Sequence, residues 1–466
     1  SRLNVGKCDM AKPFKHAAVL GSGMAGLVSA RVLADFFDKV TVFEKDPQPD
    51  GPGFRPGIPQ GRHFHALIPG GLDIMSDLLP GIKDELRAAG SILPRGDQFY
   101  TYLPEGKSYA QGRYVPNPPP DDGNPMYVQT RGLLEHCIRT RVMALPNVDA
   151  RYNCPVKDLL SDDGNVTGIV VDGTGEEVHA DLVVDALGKA GRTLHWLDKL
   201  GFERPREDVV NCDFAYTSVF MKPDSADLFT DVGFFVAPNV EAGCPPRGAA
   251  LVRMEDGSWL ALVGGRYGDY PPRDFEGFMA YAETISEPVF LELIKQATPV
   301  GEPAHFRFPK GIRRRFDELS QFPEGLLPVG DSVCHFNPTY GQGMTSACRQ
   351  AIGLQRTLQS TVAEGSDLTG IWQKVMPVSY QETRAPWLFA TMADFAHPQC
   401  TGDFPVEETE TLAVYQYVME QAMKGDREAG GIARSLATLQ MPLEELDNSE
   451  WPARFAQSKA EEEADA

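Results

Sequence analysis

The sequence has no run of about eighteen apolar residues, the length a helix needs to cross the hydrocarbon of a bilayer, so no membrane-spanning helix is expected. It has no excess of basic residues. Its 44 Lys and Arg stand against 65 Asp and Glu, a net charge of −21, which argues against a nucleic-acid partner and against docking on anionic membranes. The eight cysteines are scattered, with no C-x-x-C pair and no accompanying histidine spacing, which predicts reduced thiols and no metal site. The first residues lack an apolar signal core, so secretion is not expected and a cytoplasmic location is; residues 1–9, ahead of Met10, read as a leader remnant. There is no internal repeat, and no Ser/His/Asp arrangement suggests a protein nucleophile. What remains is a globular composition, 42% hydrophobic and 23% charged, over 466 residues, enough for two or three domains.

The chain is organised around residues 16–46, HAAVLGSGMAGLVSARVLADFFDKVTVFEKD. An apolar strand at 17–20 runs into Gly21-Ser22-Gly23-Met24-Ala25-Gly26, a helix with apolar residues at helical spacing follows, and a second apolar strand at 40–43 ends in Glu44. Strand, G-x-G-x-x-G, helix and strand together make a dinucleotide-binding fingerprint; the alternative is an ordinary α/β turn. Gly21 serves the tight turn, Gly23 the approach of a pyrophosphate, and Gly26 the close packing of helix on strand. The helix start presents free N–H groups and a partial positive charge to phosphate. Glu44, eighteen residues beyond Gly26, is placed to accept from ribose hydroxyls, and an acid there disfavours a 2′-phosphate, which points to FAD or NAD.

A long Gly/Pro loop over 47–61 leads to GRHFHAL, with Arg55 and Arg62 able to reach phosphate and His63 and His65 alternating with apolar neighbours. Residues 72–89 read as a helix, 98–103 and 108–115 as strands, 117–122 as a Pro-rich turn, and 131–145 as a helix opened by Arg131. An arginine at that end opposes the helix dipole, which suits either a neighbouring anion or a plain surface position. Strands at 156–160, 166–171 and 177–179 read as a meander, after which 182–188 returns as a buried parallel strand. A strand-rich segment over 211–267, with helices near 275–284 and 287–297, suits a roof over a cofactor's reactive end. Its polar candidates are Asp213, Tyr216, Arg266 and Tyr267, which ordinary sheet packing explains equally well. A third buried strand at 326–329 ends in Asp331, followed by FNPTYGQGM and a long helix. Helices are expected at 366–376, 379–396, 406–424 and 428–438, ahead of an acidic, solvated and frayed tail over 461–465.

GSGMAG with Glu44, then VVDALG, then LPVGDSVCHFNPTYGQGM, in this order, resemble the FAD-dependent aromatic hydroxylase/epoxidase superfamily with the para-hydroxybenzoate hydroxylase fold, over about residues 16–360. GIPQGRHFHAL and NPTYGQGMTSA look closest to the polyene epoxidases of polyether biosynthesis, such as the lasalocid epoxidase. The resemblance implies an α/β (α+β) architecture. A Rossmann-type FAD-binding domain would span 10–210 and 304–360, an inserted mixed β-sheet substrate domain 98–128 and 211–303, and a C-terminal helical region 361–466. It implies that Gly21, Gly23, Met24, Ala25, Gly26, Glu44 and Lys45 hold the ADP half of FAD. Arg62 and Arg131 would meet phosphate or ribityl, Asp331 the ribityl chain, and Pro338, Gly341, Gln342, Gly343 and Met344 the isoalloxazine.

The implied activity is monooxygenation of an apolar small molecule by O₂, by epoxidation or hydroxylation through a flavin C4a-hydroperoxide, in secondary metabolism. The cofactor carries the chemistry, and His63, His65, Tyr216 and Arg266 are the catalytic candidates. Asp185-Ala186-Leu187-Gly188 stands where the hydroxylases carry Asp-Gly and an arginine shared with NADPH, so a separate flavin reductase is the expected electron source. Direct reduction by NAD(P)H docked on Lys189, Arg192 or Arg266 is the alternative. A reductase of the geranylgeranyl-reductase type is the main rival activity. A flavin halogenase ranks lower because no W-x-W pair occurs, and a flavin-binding carrier is the non-enzyme reading.

Overall fold

Apolar side chains at 17–20 leave both faces of a strand hydrophobic, which suits a strand covered on both sides. The computed structural model describes residues 12–55, 59–95, 97–103, 106–109, 126–241 and 243–465. In it, Phe14–Leu20 is the middle strand of a five-stranded, all-parallel sheet. Across the sheet the order is Leu326–Pro328, Leu182–Asp185, Phe14–Leu20, Phe37–Phe43 and Val148–Arg151. The two segments that return to the sheet, 182–185 and 326–328, are those whose unbroken apolar runs called for burial on both faces. Ala17 lies beside Leu182, and Val183 beside Leu326. The Met24–Leu33 helix packs on both Gly343–Ala363 and Arg131–Met143.

The meander forms as a three-stranded antiparallel sheet of Val156–Asp162, Asn165–Val171 and Glu177–His179. The roof is a seven-stranded mixed sheet. Its strand Phe214–Pro223 pairs antiparallel with Trp259–Arg266 on one side and Ala297–Phe308 on the other, so the expected boundary at 304 falls inside a roof strand. Alternate residues of a strand face opposite sides. Val219 and Met221 therefore pack with Phe278 and Phe290 of the covering helices, while Tyr216 and Ser218 meet His63 on the other face.

Three expectations change. The segment 72–89 is two helices, Pro69–Leu78 and Ile82–Ala88, because Pro80 disfavours helical geometry at Leu79 and Gly81 takes φ +89°. The helices expected at 366–376 and 379–396 are one, Ile371–Phe395, despite Pro377 and Pro386 inside it. Close packing on the Gly343–Ala363 helix holds it together: a β-carbon on Gly353 would lie 2.7 Å from Val378 Cγ1. The acidic tail continues a helix, Trp451–Asp465, anchored by buried Trp451 while Glu461, Glu462 and Glu463 stay exposed. The Pro-rich turn at 117–122 and most of the strand expected at 108–115 lie outside the described residues.

The tightest approach in the first unit is at Gly26, where a β-carbon would lie 1.9 Å from the Gly21 carbonyl oxygen. Exposed Gly431, inside the Arg427–Ala437 helix, has no atom within 4 Å of such a β-carbon. In urea unfolding followed by circular dichroism, Gly26→Ala is expected to lose about 1–3 kcal/mol. Gly431→Ala is expected to gain about 0.5–1 kcal/mol.

Candidate functional site

The first half of the site is the fingerprint turn. Gly21 takes φ +97° and donates its N–H to the Phe43 carbonyl at 2.8 Å. The helix that follows has Gly23 at its N-cap, with no capping side chain and no acid in the first turn, so no side chain answers its leading N–H groups or its positive dipole end. Glu44 is buried at the neighbouring strand end. Its Oε2 accepts from Ser22 N at 2.9 Å, Ser22 Oγ at 2.7 Å and Arg55 Nη1 at 3.1 Å, while Oε1 takes one donor, Asp46 N at 3.0 Å. Burial pushes the Glu44 carboxyl up, but the donors from Asp46, Ser22 and Arg55 outweigh it and hold the group ionised below its usual range. Lys45 next to it is exposed.

Arg55 links this turn to the Arg131–Met143 helix. It donates to Ser22 Oγ at 3.0 Å and pairs through Nη2 with Glu135 at 2.6 Å. Glu135 also receives Arg131 Nε at 3.2 Å and Arg139 Nη1 at 3.1 Å. Three buried guanidiniums thus surround one cleft, lined by Gly53, Gly61 and Gly132 as well. Arg131, Glu135 and Arg139 follow one another at helical spacing, a signal present in the sequence that the reading of Arg131 alone missed. Arg62 is exposed on the loop, 5.9 Å from the Phe54 ring centroid. Gln129, just ahead of the same helix, was also missed. It is 1% exposed, and neither its amide nitrogen nor its amide oxygen has a hydrogen-bond partner.

The second half is the Gly330–Met344 stretch. Gly330 takes φ +63°, and a β-carbon on it would lie 2.6 Å from Ala25, so this loop is seated against the fingerprint helix. Burial raises the Asp331 carboxyl to about 6, against the opposing pull of Lys189 and Arg131. Pro338 opens a 3-10 turn ending at Tyr340. A β-carbon on Gly341 or Gly343 would meet nothing within 4 Å, so open space lies over this backbone. The Gly343–Ala363 helix again starts without a capping side chain, at Gln342, and the buried Gln342 Oε1 and Thr345 Oγ1 have no partner. Met344 is buried.

The roof sheet packs against the loop that carries His63. His63 Nδ1 lies 2.7 Å from Ser218 Oγ, and its ring stands edge-on to Tyr216 at 4.4 Å, with Phe306 at 6.0 Å. His65 Nδ1 lies 2.8 Å from the His63 carbonyl. Burial, then nearby positive charge, lowers both imidazoles to about 3, so both are neutral at physiological pH. Burial alone pushes the Tyr216 phenol up, keeping it protonated. Arg266, by contrast, is tied off by Asp394 at 2.8 Å. Asp213 pairs with Arg307 at 2.9 Å. In the middle motif, Asp185 accepts from Arg192 N, Thr193 N and Thr193 Oγ1 at 2.7–3.0 Å and so starts the Thr193–Leu200 helix. The Arg192 side chain donates to the carbonyls of Val156 and Lys157. Lys189 is exposed, with its Nζ 4.1 Å from the Phe308 ring centroid.

No family model matches the chain. Among solved structures, the flavin-dependent brominase Bmp2 superposes with a TM-score of 0.65 at 16% identity, covering 97% of this chain and 100% of that one. The 2-methyl-3-hydroxypyridine-5-carboxylic acid oxygenase superposes at 0.58 with 18% identity, covering 82% and 90%. PqsL, a probable FAD-dependent monooxygenase from Pseudomonas aeruginosa, superposes at 0.58 with 15% identity, covering 82% and 98%. The chain therefore has the fold of these enzymes, a Rossmann-like parallel core with a mixed sheet and C-terminal helices. The Bmp2 match extends through the helices beyond residue 360, for which the sequence had offered no counterpart. In sequence, protein Rv3254 of Mycobacterium tuberculosis is 33% identical over 411 residues, 84% of this chain and 82% of that protein, and this chain belongs to its family.

Proposed function

We propose that the protein is an FAD-dependent monooxygenase that places one oxygen atom from O₂ on an apolar, uncharged small molecule, by epoxidation or hydroxylation, in secondary metabolism. One observation carries the reading: two helices that pack on each other both start without a capping side chain, at Gly23 and Gln342, and the buried Gln129 amide and Gln342 side-chain carbonyl have no hydrogen-bond partner. A dinucleotide fits this chemistry. The Gly23–Gly26 amides suit a pyrophosphate, with Arg131 and the arginines around Glu135 beside it. Glu44 Oε1 suits a ribose hydroxyl, Gln129 and Asp331 suit the ribityl chain, and the open backbone at Gly341–Met344 suits a flat ring. FAD, when bound, supplies the redox chemistry that activates O₂.

The chain's own task is to bind, orient and keep water away. Phe214, Tyr216 and Phe306 form an aromatic wall, with ring centroids 5.3 and 5.6 Å apart. Neutral His63, fixed by Ser218, and the Tyr216 hydroxyl give that wall hydrogen-bonding groups without charge. Arg266 is already paired, which supports an uncharged substrate over a carboxylate. For the reductant, Arg192 and Arg266 are both engaged, leaving Lys189 as the remaining candidate to dock NAD(P)H. That supports delivery of electrons by a separate flavin reductase. A second reading, halogen transfer, is favoured by the Bmp2 likeness over the whole chain and opposed by the lack of a W-x-W pair.

Gln129→Leu is expected to leave the stability of flavin-stripped protein nearly unchanged, because no protein hydrogen bond is lost. The same variant should weaken FAD binding by about 1–3 kcal/mol in equilibrium titration.

The raised Asp331 carboxyl gives a pH signature in stripped protein. Folding favours its protonated form, so that stabilisation is complete below the unfolded value near 3.8 and is lost as the pH climbs through about 6. Asp331→Asn should therefore gain about 1–3 kcal/mol on the wild type between pH 4 and pH 7 in urea unfolding.

The activity itself is tested by reducing the holoenzyme and admitting ¹⁸O₂ with 1-naphthol or retinol as neutral aromatic and polyene probes, with and without bromide. One ¹⁸O atom in the product supports the reading. A brominated product without ¹⁸O would favour halogen transfer, and reduced product without ¹⁸O a reductase.

A further inference from the structure

Asp394 stands near the end of the Ile371–Phe395 helix, in the C-terminal region, and is 3% exposed. A buried carboxylate has to be met by donors, and here three converge on one oxygen. Asp394 Oδ1 accepts from Arg266 Nη1 at 2.8 Å, Asn337 Nδ2 at 2.9 Å and the Tyr340 hydroxyl at 2.7 Å. Arg266 belongs to the roof strand Trp259–Arg266, while Asn337 and Tyr340 bracket the turn that runs directly into Gly341–Met344.

The three donors are themselves cross-linked. Arg266 Nη2 donates to the Tyr340 oxygen at 3.2 Å and Arg266 Nη1 to the Cys212 carbonyl at 3.3 Å. Asn337, with its amide nitrogen given to Asp394, turns its oxygen to Thr339 N at 3.1 Å and Thr339 Oγ1 at 2.7 Å. Gly341 then adopts φ +65° and donates its N–H to the Pro338 carbonyl at 3.0 Å. Burial and the adjacent Asp394 carboxylate push the Tyr340 phenol well up, so its hydroxyl stays a donor. Hydrogen bonds from the Asp394 oxygen thus hold Asn337 and Tyr340 on either side of the turn, and the backbone runs from Tyr340 straight into Gly341.

We propose that Asp394 is a positioning residue: through Asn337 and Tyr340 it sets the 337–344 loop, and through Arg266 it locks that loop to the roof. The C-terminal helices thereby fix the floor and the ceiling of the same space before any ligand enters. A network of this kind matters because amides aimed in advance need no reordering when a ligand arrives. The consequence for cofactor binding rests on the FAD reading above; the clamp itself rests only on these contacts.

The test is hydrogen exchange by mass spectrometry on the full chain stripped of flavin, followed by titration with FAD. In Asp394→Asn, amides at 339–344 should exchange roughly tenfold faster or more, with those at 17–33 unchanged, and FAD should bind roughly tenfold more weakly. Tyr340→Phe deletes a single donor and should show the same localised effect, smaller, even if Asp394→Asn folds poorly. The double variant R266M/D394L removes both charges. It should recover thermal stability yet keep fast exchange at 339–344, which a purely structural ion pair would not produce. Wild-type exchange at 339–344 in both single variants, or slow exchange restored in the double variant, would overturn the clamp. A wild type with a protected loop that takes up no FAD would uphold the clamp and refute the cofactor reading.

Discussion

The close approach of backbone to backbone at Gly21 and Gly26 is the constraint on which the rest of the site depends. With no side chain at Gly26, the Met24–Leu33 helix sits down on the end of its strand, and its uncapped start is held at the sheet's C-terminal edge. That placement lets Ser22 and Glu44 engage Arg55, and Arg55 reach Glu135 on the next helix. It also gives Gly330 its seat against Ala25, which brings the second uncapped helix to the first. Both helix starts lack a capping side chain, the arrangement that suits an anion in the proposed reading.

Charge around this cleft is arranged in compensated groups. Arg55, Arg131 and Arg139 are matched by Glu44, Asp46 and Glu135, and Arg266 is matched by Asp394. Buried ions cost desolvation, and close hydrogen-bonded partners offset that cost. Against the roof, the buried polar pair His63 and Tyr216 carries no charge. In the proposed reading the arginine-lined end suits the phosphorylated part of the cofactor, and the face of His63 and Tyr216 suits a neutral substrate.

The first βαβ unit was legible in the sequence because its determinants are local: glycines at fixed offsets, an apolar strand on either side, and an acid at the end of the second strand. The same holds for the returning strands at 182–185 and 326–328, whose unbroken apolar runs require burial on both faces. Gln129 carried a weak signal, a polar residue in an apolar segment, but only its burial without partners gives it meaning. The Asp394 network carried none, because its partners lie 54, 57 and 128 residues away. Pro377 and Pro386 misled for the opposite reason: a sound local rule yields where helix packing at Gly353 is tight enough.

The central claim is that this cleft holds a dinucleotide across both helix starts, with the adenosine half at Glu44 and the arginines and the ring at Gly341–Met344. The most direct measurement is a side-by-side titration of flavin-stripped protein with FAD and with FMN, followed by flavin fluorescence. FMN lacks the adenylate portion, so FAD is predicted to bind about 100-fold or more tightly than FMN, a difference of about 2.7 kcal/mol. Equal affinity for the two, or binding of neither, would contradict the account.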